Sequence, residues 1–138
     1  MYQKIKNDMK GAFDTHIKVL ENFLSSLEQA DRSDSCTDLK NLYYSHSELI
    51  LASIVCAEKI VEQVATQIEV ADRRNDVDAV AEYARLFEAH LVARQALEEY
   101  LTNTEQIVTD MTEEPIHKLY QSTYAVMLKI KKLCDEQL

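Results

Sequence analysis

The chain contains almost no residues that turn a backbone. Its 138 residues include one glycine, Gly11, and one proline, Pro115. A β-sheet protein needs turn residues at each hairpin, and a βαβ fold needs them at each crossover. A chain so poor in both, and rich in good helix formers, can reverse direction only a few times. We therefore predict an all-α fold made of a few long helices.

Apolar residues recur at three- and four-residue steps, which places them on one face of a helix. Polar breaks rich in turn formers fall at 31–35, 72–76 and 112–115. Without the 72–76 break, the second and third helices would fuse into one rod. The pattern predicts one domain over residues 1–138, with helices at approximately 2–29, 37–71, 76–111 and 114–135.

Short connections place consecutive helices side by side and antiparallel. The predicted architecture is an up-down-up-down four-helix bundle with a long, coiled-coil-like central hairpin. Each central helix would be roughly 50 Å long at 1.5 Å per residue, so one end of the hairpin is expected to project. Gly11 is expected at a close helix approach. Asn75 or Asp76 is expected to cap the third helix, and Thr112 to cap the fourth ahead of Pro115.

Charge is unevenly distributed along the chain. The net charge is −9. Residues 1–20 and 115–138 each carry +2, whereas residues 21–114 carry seven basic and twenty acidic side chains, or −13. This balance disfavours nucleic-acid binding. It favours a basic protein partner, unless the acidic helices serve only to keep the chain soluble.

Targeting and membrane signals are weak. No apolar run approaches the roughly twenty residues that span a bilayer, and the first residues lack a signal-peptide core. The odd, widely spaced cysteines Cys36, Cys56 and Cys134 argue against a disulfide framework. We therefore expect free thiols and a cytoplasmic location. Membrane-surface association through the lysines of the first helix is a weaker alternative.

The sequence contains no pattern typical of an active site. One glycine cannot form a phosphate-binding loop, and no cysteine has a histidine at helical spacing. Cys56, within an apolar run, is expected in the core. One histidine falls on each predicted helix, but the four spread over roughly 25 Å of bundle length and cannot share one ion. We predict no enzymatic activity and no cofactor.

A smaller metal site is the main alternative among ligand-binding functions. Glu114 and His117 have the Glu-x-x-His spacing found in helical carboxylate sites, although Pro115 lies between them. Cys36 and His46 are expected at the same end of the bundle. Ordinary helix-start acids and a surface histidine explain the same residues.

Tyrosines gather at one predicted end of the bundle. At a rise of 1.5 Å per residue, five of the seven tyrosines lie within roughly 15 Å of that end. Tyrosine is enriched at protein interfaces, so these are candidates for partner binding, unless they only border the core. The five candidates are Tyr43, Tyr44, Tyr100, Tyr120 and Tyr124.

The segment 49–57 has no polar side on a helix, because eight of its nine residues are apolar. A helix of this kind must be covered all round, which predicts self-association as a homodimer. The candidate residues are Leu49, Ile50, Leu51, Ile54 and Val55.

Together these features favour a non-catalytic protein–protein interaction module, acting as an adaptor, chaperone, inhibitor or assembly subunit. The expected binding surface is acidic, helical and tyrosine-bearing. The alternatives are a bundle that binds a metal or small ligand, and a protein that associates with a membrane surface.

Overall fold

Four α-helices account for almost all of the described chain. The computed structural model describes residues 1–32 and 38–138. The helices are α1 Tyr2–Arg32, α2 Leu39–Arg73, α3 Val77–Asp110 and α4 Pro115–Gln137. The all-α prediction is confirmed. The predicted ends of α1, α2 and α4 fall two or three residues short, and the predicted start of the second helix at residue 37 lies outside the described residues.

The helices form an antiparallel bundle. Each packs along two neighbours: α1 and α3 both contact α2 and α4, and α1 meets α3 only briefly across the diagonal. Across α1 and α2, His16 meets Ser53 while Phe23 meets His46, so the numbering runs in opposite directions. The up-down-up-down arrangement is therefore confirmed.

Large apolar side chains from all four helices fill the centre of the bundle. Fully burying one such side chain stabilises the fold by about 1.5–3 kcal/mol. Because these residues recur at helical spacing, one face of each helix points inward. Those with no exposed surface include Phe13, Leu20, Ile50, Leu86, Leu97 and Ile130.

The break between α2 and α3 is made by two residues suited to it. Asn75 has a positive φ of 56°, the left-handed conformation that asparagine tolerates better than most residues. The Asp76 carboxylate then caps α3 by accepting from the Ala79 amide at 3.1 Å. The predicted break is confirmed, although α2 continues through Arg73 and the break itself covers residues 74–76, and Asp76 is the cap.

The α2–α3 hairpin projects past the start of α1. The Tyr2 ring packs edge-on against the Tyr83 ring, with centroids 5.2 Å apart. Tyr2 begins α1, whereas Tyr83 lies six residues into α3. The tip of the hairpin therefore extends roughly 9 Å beyond α1 at 1.5 Å per residue.

The turn into α4 differs from the prediction. Pro115 occupies the first turn of α4, as expected, but the N-cap is Glu114, whose side chain makes no capping hydrogen bond. The Thr112 hydroxyl oxygen is buried without a hydrogen-bond partner among the described residues, so Thr112 is not the cap. Met111 and Glu114 both adopt left-handed backbone conformations to complete the reversal.

Gly11 does not mark a close helix approach. A Cβ built at this position meets no atom within 4 Å, and the residue is exposed. The prediction fails because α1 turns this position away from its neighbours. Glycine therefore contributes only backbone freedom here, which disfavours the helix.

Replacing Gly11 with alanine is expected to raise the free energy of unfolding by about 0.5–1 kcal/mol, because the added methyl group meets no neighbour and the unfolded chain loses freedom. Chemical denaturation of both proteins measures the difference. Ala81→Gly, at an exposed position within α3, is the matched control and should lower stability by a similar amount. A loss of stability in Gly11→Ala would contradict the expectation.

Candidate functional site

Two of the five candidate tyrosines lie inside the bundle. Tyr43 is 1% exposed and Tyr100 is 5% exposed, so neither side chain can meet a partner at the surface. Tyr44 and Tyr124 are exposed, and Tyr120 is partly buried. Consecutive residues on a helix point about 100° apart, which is why Tyr43 faces inward and Tyr44 outward.

The buried tyrosines belong to a polar network that joins α2, α3 and α4. His46 Nε2 lies 2.7 Å from the Tyr100 hydroxyl, which in turn lies 2.8 Å from Thr123 Oγ1. Because the single Thr123 hydroxyl proton goes to the Leu119 carbonyl, Tyr100 donates to Thr123 and His46 Nε2–H donates to Tyr100. The His46 ring also stacks on Phe23 of α1, with centroids 3.9 Å apart.

A second branch of this network fixes Tyr43. Its hydroxyl donates to the Leu101 carbonyl at 2.7 Å. Thr104 Oγ1 lies 2.9 Å from that hydroxyl and 2.7 Å from the Tyr100 carbonyl. These contacts give the polar ends of the core tyrosines partners that buried groups require.

The exposed tyrosines lie on different sides of the bundle. Tyr120 and Tyr124 stack on each other with nearly parallel rings, and the Tyr120 hydroxyl donates to Glu28 of α1 at 3.1 Å. They therefore face the α1–α4 side. Tyr44 lies on the same side of α2 as Glu58, which is fourteen residues or about four turns further on, and Glu58 contacts Arg94 of α3. The structure does not unite the five tyrosines into one surface.

Three of the four histidines are buried. The single hydroxyl proton of Ser53 goes to the Ile50 carbonyl, so His16 Nδ1–H donates to Ser53 Oγ at 2.8 Å. His90 Nε2 lies 3.2 Å from Glu58 Oε1, but outside hydrogen-bond geometry, and neither ring nitrogen of His90 bonds to a described residue. Helical spacing was the signal for this burial: His16, for example, lies three residues after Phe13 and four before Leu20, on the apolar face of α1.

Burial keeps two of these rings neutral. It lowers the pKa of His16 from 6.5 to about 4, with a smaller contribution from the nearby His90 ring. It lowers the pKa of His46 to about 3. In both cases the cause is desolvation, which penalises the charged imidazolium.

The weak metal candidates do not converge. His46 is buried and engaged with Tyr100, whereas Glu114 and His117 are exposed at the start of α4. Cys36 lies outside the described residues. Within residues 1–32 and 38–138, no group of three or more histidine, cysteine, aspartate or glutamate side chains is placed to hold an ion.

The outer face of α2 carries an exposed apolar patch, which we call the α2 patch: Leu49, Leu51, Ala52, Val55 and Cys56. Its three largest side chains are well exposed: Leu49 is 57% exposed, Leu51 is 50% exposed and Val55 is 57% exposed. No charged residue interrupts the segment 49–57. Soluble proteins seldom leave a contiguous apolar patch uncovered without a use for it.

The α2 patch spans the full outer width of the helix. Leu49 borders a groove with Phe23 on the α1 side. Leu51 and Val55 lie on the α3 side, in the stripe that Tyr44 and Glu58 share.

Three self-association candidates belong to this patch, namely Leu49, Leu51 and Val55. Ile50 and Ile54 are instead buried in the core. Cys56, expected in the core, is exposed, because it lies about 120° from the inward direction set by Ile50.

Comparison with known protein families, with curated proteins and with solved structures found no significant match to this chain. Over the part of the chain that the structure describes, every helix falls short of the sustained apolar length needed to cross a membrane.

Replacing Tyr100 with phenylalanine is expected to lower the free energy of unfolding by about 1–3 kcal/mol, because His46 and Thr123 would each lose a buried partner. Urea denaturation measures the loss. Tyr124→Phe, which removes an exposed hydroxyl, should change stability by less than about 0.5 kcal/mol. Equal effects of the two variants would show that the buried network adds nothing.

Acid is expected to destabilise the fold through His16 and His46. The folded-state pKa of each ring lies below 6.5, so the unfolded chain takes up protons first. The stability that the two neutral rings contribute is complete above pH 6.5 and is lost as pH falls through about 4 for His16 and about 3 for His46. At pH 5 each histidine should have lost about 2 kcal/mol.

Denaturation at several pH values checks the acid effect. His16→Gln should reduce the proton uptake on unfolding near pH 5 by about one proton. Gln121→Ala, at an exposed position without a titratable group, is the control and should leave the uptake unchanged. If both variants left it unchanged, His16 would not be the neutral buried group described above.

Proposed function

We propose that the protein is a non-catalytic protein–protein interaction module whose binding surface is the outer face of α2. The observation that carries this proposal is the α2 patch, with Leu49, Leu51 and Val55 each at least half exposed. Covering such side chains removes apolar area from water, which is the main favourable contribution to association.

The surroundings of the α2 patch suit an interface. The patch lies on the middle of a 35-residue helix held in the bundle by α1 and α3, so little backbone freedom is lost on binding. Tyr44 lies at one edge of the patch and offers an apolar ring with a polar tip. Apolar centres with polar edges are typical of protein interfaces.

Charge favours partners that bring basic groups. The segment 21–114, which contains α2 and α3, carries −13. A partner surface that places lysine or arginine side chains against this segment is therefore favoured. The free thiols of Cys56 and Cys134 fit a reducing compartment, so we place this activity in the cytoplasm.

Site-specific crosslinking in cells of the source organism tests the proposal. A photoreactive benzoyl-phenylalanine at position 55 is expected to give covalent protein adducts, because Val55 lies in the α2 patch. The matched control is position 121, an exposed glutamine on α4. Helix α4 lies diagonally across the bundle from α2.

The added change Leu51→Glu should abolish the adducts from position 55, since it places a charge in the α2 patch. Circular dichroism confirms that this variant is folded. Adducts of equal yield from positions 55 and 121, or none from position 55, would overturn the proposal.

A further inference from the structure

The α2 patch ends in opposite charges. Glu48 lies just before the patch, and Lys59 lies just after it. Eleven residues separate the two, which is three helical turns to within about 20°, so both project from the same outward side. Both are exposed, and neither forms an ion pair with another described residue.

We infer that the occupant of the α2 patch is a second copy of this chain, bound with its α2 antiparallel to the first. This inference rests on the proposed function, because it names the partner of the same surface. A two-fold axis level with the midpoint between Ser53 and Ile54 places residue i opposite residue 107 − i. Glu48 of each copy then faces Lys59 of the other, which gives two ion pairs for each dimer.

The apolar residues obey the same symmetry. In a two-fold pair of antiparallel helices, each flank meets the same flank of the other copy. On the α3 side, Leu51 lies next to Val55 of the second copy. On the α1 side, Leu49 lies next to Cys56 of the second copy. Ala52 is at the centre, where its small side chain lets the helix axes approach to the usual distance of about 8–10 Å.

Charge selects this arrangement over others. In a parallel pair with the patches in register, Glu48 would face Glu48 and Lys59 would face Lys59, and like charges in contact disfavour association. A uniformly basic partner would place a positive charge opposite Lys59, which disfavours binding at that end of the patch. The antiparallel second copy satisfies both ends of the patch at once.

Reciprocal charge reversal tests the arrangement by sedimentation equilibrium at low salt. Glu48→Lys puts two like-charged pairs of lysines in its own dimer, and Lys59→Glu puts two like-charged pairs of glutamates in its own. Each variant alone is expected to dimerise about three- to tenfold more weakly than the unmodified chain. An equimolar mixture should dimerise as tightly as the unmodified chain, because the mixed dimer regains both opposite-charge pairs.

Matched controls carry the same changes in net charge away from α2. Glu88→Lys on α3 and Lys129→Glu on α4 are both at exposed positions. Neither should alter the dissociation constant by more than about twofold, alone or mixed. Val55→Glu should raise the constant at least tenfold, since it buries a charge at the centre of the interface.

Recovery in the mixture of Glu48→Lys with Lys59→Glu supports the antiparallel dimer, and it cannot come from a folding defect. An unmodified chain that stays monomeric at about 100 μM would overturn the inference, as would two variants that dimerise as well alone as mixed. Adducts from position 55 that contain a different protein and no second copy would also overturn it, but would leave the interaction module standing. Absence of any adduct would overturn both.

Discussion

The buried hydrogen bonds among α2, α3 and α4 set how the helices are aligned. His46, Tyr100 and Thr123 come from three different helices, and each supplies a polar atom that needs a partner inside the core. A shift of one residue along α2 would rotate His46 by about 100° and leave that atom unpaired. Apolar packing tolerates several registers more readily than such a network does. The network therefore selects the rotation of α2 about its own axis.

The rotation of α2 determines what the protein shows to the solvent. With His46, Ile50 and Ile54 turned inward, Leu51 and Val55 must turn outward, because they lie 100° away along the helix. The buried hydrogen bond of His46 and the exposed apolar patch of α2 are thus two results of one orientation. The same residue spacing that completes the core creates the surface on which the proposed function depends.

Much of the fold could be predicted because it depends on local pattern. The scarcity of glycine and proline, the helical spacing of apolar residues and the breaks at 72–76 and 112–115 each act over a few residues. They are enough to define four helices and their order. Helix ends depend on more than this local pattern: the Thr112 hydroxyl, predicted to cap α4, makes no capping bond.

The site was predicted less well because it depends on rotation about each helix axis. Positions along the bundle axis, calculated from the rise per residue, grouped five tyrosines at one end. Such positions do not determine the direction in which a side chain points. Tyr43 and Tyr44 are consecutive residues, yet Tyr43 is buried and Tyr44 is exposed. The apolar segment 49–57 was recognisable, but its division into Ile50 and Ile54 inside and Leu49 and Val55 outside needed the neighbouring helices.

In the inferred dimer, the projecting end of the α2–α3 hairpin occurs twice. Antiparallel pairing centred between Ser53 and Ile54 points the two tips in opposite directions. Each tip, at Arg73, lies about twenty residues from that centre, so the two stand roughly 60 Å apart at 1.5 Å per residue. Such a dimer presents two identical ends at a fixed spacing. A target with two matching sites at that spacing would be held by both tips together, with an avidity well above the affinity of either tip alone.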